Sequence, residues 1–123
     1  MVGIQLKKAS EEFVHYLRSS QELKEFKEAK AAFDKDPEIM KLHQEITTLA
    51  HEFNKKQNNK TLRQSDIDRM RLLQQKLNSH PKTVRYTQTR QQLAIMLQEC
   101  NSIISGIIGF NFAATIAPKA GCC

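Results

Sequence analysis

A long helical seam near the C-terminus constrains the fold more than any other feature of the sequence. Steps of four and three residues, which align side chains along one side of an α-helix, connect Leu93, Leu97, Cys100, Ile104 and Ile107. The seam widens into a broad apolar face through Met96, Ile103 and Ile108. Such a face is stable only against a second surface, so the sequence predicts helix packing within or between chains.

Four further helices are predicted by the same spacing and by capping residues. Residues 2 to about 18 form an amphipathic pattern, and a short second helix begins at Ser19 or Ser20, where Ser19-x-x-Glu22 fits a capping box. Asp36-Pro37 starts a third helix that runs to about Lys56, because Asp caps helices and Pro is favoured in the first turn. The first helix places on one face Ile4, Leu6, Ala9, Phe13, Val14 and Leu17.

The third helix has its own apolar seam, which predicts packing against an antiparallel neighbour. Residues 57–60 are the predicted hairpin tip, with Asn in a left-handed conformation, and Ser65-x-x-Asp68 is the predicted cap of a fourth helix. The last helix spans 81 to about 108, about 40 Å at 1.5 Å per residue, so part of it should extend beyond the domain or contact a second subunit. The third-helix seam comprises Ile39, Leu42, Ile46, Leu49 and Phe53.

These patterns predict an all-α protein, a helical hairpin or bundle of about five helices with a long C-terminal helix. Only 4 Gly and 3 Pro interrupt the 123 residues, and strict apolar–polar alternation is absent. Residues 1–110 are expected to form a single domain, and residues 111–123 an apolar tail that ends in Cys122-Cys123. No signal peptide and no apolar run of about 20 residues are evident, so we expect a cytoplasmic protein without a membrane span.

Positive charge is concentrated in the middle of the chain. The formal net charge is +6, yet residues 55–90 contain ten basic and two acidic residues, a local charge of +8. This segment could bind RNA or an acidic protein, although a solvated helical surface explains the charge slightly better. The candidate binding residues are Lys55, Lys56, Lys60, Arg63, Arg69, Arg71, Lys76, Arg85 and Arg90, with Lys82 also in the basic segment.

No catalytic motif is found, and we predict that the protein is not an enzyme. His51-Glu52 begins like a zinc-protease helix, but Lys55 stands where the second His is required. No phosphate-binding glycine loop or nucleophile elbow occurs. The four histidines are expected to be surface or partly buried residues.

Cysteine is the one chemically unusual residue type. Cys100 lies on the apolar seam, where a small buried hydrophobe is the preferred explanation. The adjacent thiols of Cys122 and Cys123 suit soft metals or redox exchange. Three thiolates are one fewer than a structural zinc or iron–sulfur site normally uses, so a partner chain would have to complete a metal site.

Two stretches of the chain resemble the YlbF/YmcA family of small helical bacterial proteins. One is SIISGIIGFNFAATIAP, residues 102–118, and the other is SSQELKEFKEAK, residues 19–30, followed by Asp34-Lys35-Asp36-Pro37-Glu38. The resemblance implies a regulatory role in RNase Y-dependent mRNA maturation, competence, sporulation and biofilm control. It also implies a complex with a third protein that carries iron–sulfur clusters, although the Cys122-Cys123 tail is shorter than the family's cysteine-bearing tail.

The first hypothesis is therefore a non-enzymatic regulatory adaptor that assembles with itself or with family paralogues. No cofactor is expected on this chain alone, an iron–sulfur cluster is conceivable in a complex, and a ribonuclease or RNA is a candidate partner. The alternatives are a nucleic-acid-binding helical module that uses the basic segment and a thiol-based metal or redox sensor. Assembly is assigned to the seams of the third and fifth helices, the latter through Leu93, Leu97, Ile104 and Ile107.

Overall fold

The computed structural model describes residues 2–116, and this part of the chain contains six α-helices and no strand. The all-α class, the five predicted helices and the long C-terminal helix are confirmed, and a short sixth helix lies within the predicted tail. The helices are α1 (Ile4–Arg18), α2 (Gln21–Lys35), α3 (Pro37–Asn58), α4 (Gln64–Ser79), α5 (Pro81–Ile108) and α6 (Phe112–Ile116).

Three helix junctions contain a capping residue in extended conformation, and two of these junctions consist of that residue alone. The φ and ψ angles are −68° and 144° at Ser20, −72° and 121° at Asp36, and −62° and 132° at His80. Each side chain accepts a hydrogen bond from a backbone N–H of the following helix, at 3.3, 3.1 and 3.2 Å respectively. The predicted restart at Asp36-Pro37 is confirmed, and His80-Pro81 repeats it.

Ser20, one of the two predicted caps of α2, is confirmed, whereas the predicted capping box Ser19-x-x-Glu22 is wrong. The Oγ atom of Ser20, and not that of Ser19, accepts the hydrogen bond from the Leu23 N–H. The Ser19 hydroxyl instead donates to the carbonyl of Tyr16 at 2.9 Å and so belongs to the end of α1. Both serines are suitable caps, and the register depends on where α1 stops.

The hairpin between α3 and α4 is confirmed, but its details differ from the prediction. The left-handed residue is Lys60, with φ of 57°, and not an Asn. The helix α4 begins at Gln64, before Ser65, and Asp66 Oδ2 accepts a hydrogen bond from the Arg63 backbone N–H at 3.0 Å. The predicted Ser65 cap is therefore wrong, because Asp66 reaches back over the first turn and satisfies the donor.

Replacing Lys60 by Gly should stabilise the protein. The Thr61 N–H bonds to the Lys56 carbonyl at 2.8 Å and the Lys60 N–H to the Gln57 carbonyl at 3.2 Å, the pattern that normally carries Gly at the left-handed position. A non-glycine residue costs roughly 1–2 kcal/mol there, partly offset by the larger unfolded-state entropy of Gly. We expect a gain of about 1 kcal/mol by chemical denaturation, whereas Lys60→Val should destabilise.

The helices α2 to α5 form two packed pairs. The helix α2 packs on α5 and α3 packs on α4, whereas α2 contacts α3, and α4 contacts α5, less extensively. The two pairs correspond in chain order: if α2 is matched with α4 and α3 with α5, the α2–α5 pair is matched with the α3–α4 pair. The two capped corners, Asp36-Pro37-Glu38 and His80-Pro81-Lys82, correspond in this matching and lie against each other.

The core is thin for a chain of this length. Within the described residues, the buried apolar side chains are Ala29, Ile39, Leu49 and Leu73. An aromatic cluster adds to the α2–α5 contact, since the Tyr86 ring stacks on Phe33 at a centroid distance of 4.8 Å and lies 5.7 Å from Phe26. An arrangement of two packed pairs leaves the opposite sides of the helices exposed.

Candidate functional site

An exposed apolar surface covers the C-terminal half of α5 and continues onto α6. Ile103, Ile107 and Ile116 expose 65%, 80% and 71% of their surface. Single exposed apolar residues are ordinary, but a contiguous group of large ones indicates an interaction site. We call this the distal apolar surface and define it as Leu97, Ile103, Ile107, Ile108, Phe110, Phe112 and Ile116.

A polar network holds α6 against α5 and so shapes the distal apolar surface. The Asn101 side-chain oxygen accepts a hydrogen bond from the Ala113 N–H at 2.9 Å, and the Ser105 hydroxyl accepts one from the Phe112 N–H at 3.0 Å. Gly109, with φ of 84°, makes the left-handed turn that ends α5. These bonds satisfy backbone donors at the start of α6 and orient its apolar side chains.

The first helix is a second unpartnered amphipathic element. Its 15 residues contact only α2, near the Ser20 junction, and Leu17 is its only half-buried side chain. Leu6 and Phe13 are 62% and 44% exposed although they lie on the same side of the helix. Isolated helices of this length are marginal in water, so α1 gains stability from an added contact.

The total surface supports the same conclusion. The chain of 14.2 kDa exposes 10116 Å². A compact monomer of this mass exposes about 6,800 Å² according to the usual scaling of surface with mass. The excess of roughly 3,000 Å² is larger than the ~1,000–2,500 Å² that one subunit buries in a large obligate interface, so the exposed surface has room for such an interface.

The two helix corners form a reciprocal ionic network. Asp36, which caps α3, binds the Lys82 ammonium of α5 at 2.8 Å, and His80, which caps α5, contacts the Glu38 carboxylate of α3 at 2.9 Å. The Lys82 hydrogen bond and then the Ile39 N–H hold the pKa of Asp36 below its ordinary value of 3.8. Each cap thus also ties its own helix to the opposite corner.

The same corner contains three potential metal ligands. One ligand atom each of Asp36, Glu38 and His80 lie within 4.8 Å of one another. However, His80 Nδ1 accepts the Lys82 N–H, so the ring proton is on Nε2 and points to Glu38, while the Lys82 ammonium already balances Asp36. The chemistry fits a structural ion-pair network better than a metal centre.

Acid should weaken the fold through the two capping aspartates. The Lys56 hydrogen bond and the Arg63 N–H lower the pKa of Asp66 from 3.8, as Lys82 does for Asp36. A folded-state pKa below the unfolded value gives stability that is present above about pH 4 and is lost as the pH falls through the folded value. The free energy of unfolding, measured by denaturant from pH 7 to 2.5, should drop in this range.

In the double variant Asp36→Asn/Asp66→Asn, the free energy of unfolding should fall less steeply below pH 4 than in the unmodified protein. Asp68→Asn, a change of the same type on α4, is the matched control and should retain the acid dependence. An unchanged slope in the double variant would contradict this assignment.

Comparison with protein families agrees with this helical architecture. The family model described as "Control of competence regulator ComK, YlbF/YmcA" matches residues 6–108, which is most of the chain and includes α1 to α5. The chain belongs to the YlbF/YmcA family. No curated protein and no solved structure matches it significantly. This membership, expected from the residues quoted above, makes the chain part of a regulatory family.

In this family member the predicted assembly seams have different environments. The α3 set faces the chain's own interior, with Ile39 and Leu49 buried and Leu42, Ile46 and Phe53 half-buried. The α5 set is accessible, since Leu93 and Ile104 are half-buried and Leu97 and Ile107 are exposed. The accessible area for assembly therefore lies on α5 and not on α3.

The basic residues do not form one stripe. Lys56 and Lys82 are bound to Asp66 and Asp36, and the other candidates are exposed without an ion pair among residues 2–116. Arg69 and Arg71 are two residues apart on α4 and so point to opposite sides of the helix. Lys55, Lys60 and Arg63 lie together in sequence around the hairpin tip, and Lys76, Arg85 and Arg90 are spread over α4 and α5.

The predicted thiol site falls mostly outside the described residues. Cys100 is half-buried on α5, and no cluster of three potential ligands includes it in the range 2–116. Cys122 and Cys123 lie outside the described part of the chain. In the same described range, none of the helices is long and apolar enough to span a membrane.

Two networks of side chains in this region were not predicted from the sequence. The network in which Asn101 and Ser105 of α5 bind the backbone of α6 corresponds to no sequence motif, because the pattern of an apolar helix does not indicate the partners of its single polar residues. The corner network could have been predicted from the sequence, because Asp36-Pro37-Glu38 and His80-Pro81-Lys82 share a cap–proline pattern and carry opposite charges in the third position.

Proposed function

We propose that the chain is a non-enzymatic regulatory adaptor that assembles with itself or with family paralogues and promotes RNase Y-dependent mRNA processing, and thereby competence, sporulation or biofilm control. The observation that carries the proposal is the distal apolar surface, a group of large apolar side chains on α5 and α6 that are exposed in the single chain. Family membership supports the regulatory part of the proposal.

Several features of the described residues favour binding over catalysis. The three potential metal ligands at the corner are engaged elsewhere: Asp36 pairs with Lys82, Glu38 pairs with His80, and Asp36 and His80 cap helices. The grooves on the surface are shallow openings between helices and not enclosed pockets with convergent polar groups, which small-molecule sites usually have. An adaptor needs exposed complementary surfaces, and these are what the fold provides.

Affinity purification of the tagged chain from its own host tests the proposal. We expect mass spectrometry to identify family paralogues together with a ribonuclease at near-stoichiometric amounts. Recovery of the tagged chain alone, after gentle lysis and at low salt, would contradict the association with paralogues and a ribonuclease. Iron analysis of the anaerobically purified complex, with a Cys122→Ser/Cys123→Ser variant, tests the expected iron–sulfur cluster in the complex.

RNA binding is a second candidate, favoured by the exposed basic residues without ion pairs. The best candidates are Lys55, Lys60 and Arg63 at the hairpin tip, because they are close in sequence on one end of α3 and α4. Binding through phosphates requires an affinity for RNA that falls steeply with salt. Absence of binding at 50 mM salt would exclude this candidate, and neutralising the three residues should reduce any binding observed.

A further inference from the structure

We infer that α1 of one chain docks into the groove between α2 and α5 of a second copy, and that the exchange is reciprocal. The inference rests on the self-assembly in the proposed function and gives it a geometry. Its two components are a helix without a partner and a groove without an occupant, both present in every chain. A reciprocal exchange satisfies both and produces a closed twofold dimer.

The docking face of α1 is an apolar stripe. Steps of three and four residues place Leu6, Ala9, Phe13 and Leu17 on one side of the helix, and of these only Leu17 is even half-buried. The opposite side carries Lys8, Glu11 and His15 and is suited to water. A helix of this pattern fits a groove whose lining combines apolar and charged side chains.

The α2–α5 groove has these properties. Its volume is about 400 Å³, and its lining combines the apolar Ile95 and Met96 with the carboxylates of Glu22, Glu25 and Glu99. None of the three carboxylates is neutralised by an ion pair among residues 2–116. The α1 helix supplies the opposite charge through Lys7 and Arg18, which flank the stripe and also lack ion pairs in that range.

The groove between α3 and α4, the other packed pair of helices, matches α1 less well. Its volume is about 350 Å³ and it is lined by the cations Lys41 and Arg69 beside Glu45 and Glu52. The two cations and two carboxylates of its lining give a net charge of zero, so it has no excess negative charge for α1. This difference in charge between the two grooves favours docking of α1 in the α2–α5 groove.

The occupant is a second copy because α1 does not reach the groove of its own chain. Gln21, the first residue of α2, itself lines the groove, and the Ser20 corner joins it to α1 without a loop. Within the chain, α1 contacts only α2 near this corner and does not contact α5. The surface excess of roughly 3,000 Å² leaves enough area for two such contacts per dimer.

Light scattering of the purified full chain tests the inference. We expect a mass of twice 14.2 kDa for the unmodified protein. Phe13→Asp on the stripe and Ile95→Asp in the groove should each raise the dimer dissociation constant by 30-fold or more, the effect of losing one central contact. His15→Asp, on the opposite side of α1, is the matched control and should remain dimeric.

Mixing the two variants tests reciprocity. The Ile95→Asp chain retains an intact α1, and the Phe13→Asp chain retains an intact groove. A 1:1 mixture should therefore recover dimers through one intact contact, whereas neither variant does so alone. Circular dichroism should show that both variants are folded, because Phe13 and Ile95 are 44% and 50% exposed.

The outcomes separate this inference from the proposed function. A monomeric unmodified chain, a dimeric Phe13→Asp variant or a mixture that stays monomeric would each overturn the α1 exchange. The adaptor proposal would survive all three results, because it is tested by the recovery of paralogues and a ribonuclease from the host.

Discussion

The variant Ile107→Glu should lose its partners while it keeps its fold. Ile107 is 80% exposed in the middle of the distal apolar surface, so the substitution removes no buried contact and should change the free energy of unfolding by only about 0.5 kcal/mol. In an assembled complex the same carboxylate would be buried without a counter-charge. We expect recovery of paralogues from the host to fall at least tenfold.

Leu72→Glu is the matched control for this experiment. Leu72 is 51% exposed on α4, away from the distal apolar surface, and receives the same change of charge and shape. Normal partner recovery with Leu72→Glu and loss with Ile107→Glu would locate the interface. Equal recovery with both variants would show that the distal apolar surface is not the binding site.

The variant Ile39→Ala should cause the largest loss of stability. Ile39 is 1% exposed and lies directly behind the Asp36 corner, where its N–H donates to the capping carboxylate. Truncation of a buried Ile to Ala costs about 2–4 kcal/mol through lost apolar burial and the cavity that remains. The thin core offers few alternative contacts, so we expect the melting temperature to fall by about 10 °C.

Met40→Ala provides the comparison at the adjacent position. Met40 is 52% exposed, and its truncation should cost less than about 1 kcal/mol. If the two variants had equal stability in denaturant titrations, the placement of Ile39 in the core would be wrong.

Helix positions were predictable because their signals are local. The Asp36-Pro37 restart, the hairpin near residues 57–60 and the extent of α5 each depend on a few neighbouring residues. The errors are also local: Ser19 and Ser65 are suitable caps, but Ser20 and Asp66 make the bonds. Capping preferences alone do not distinguish between residues that lie side by side.

Tertiary pairing was less predictable because an amphipathic pattern shows which face is buried and not what covers it. The short hairpin made the α3–α4 contact predictable, whereas nothing local indicates that α2 packs on α5. The exposed state of the α1 face also follows only from the tertiary arrangement. The apolar seam of α5 correctly predicted that this helix packs against another helix. The first half of α5 packs on α2, and its second half remains exposed.

Mapping the ends of RNase Y-dependent transcripts in the host tests the central proposal most directly. The adaptor account predicts that cleavage decreases in a strain that lacks the protein and is restored by the unmodified chain and by Leu72→Glu. It also predicts that Ile107→Glu, expressed at the same level, does not restore cleavage. Normal cleavage in the strain that lacks the protein would contradict the account.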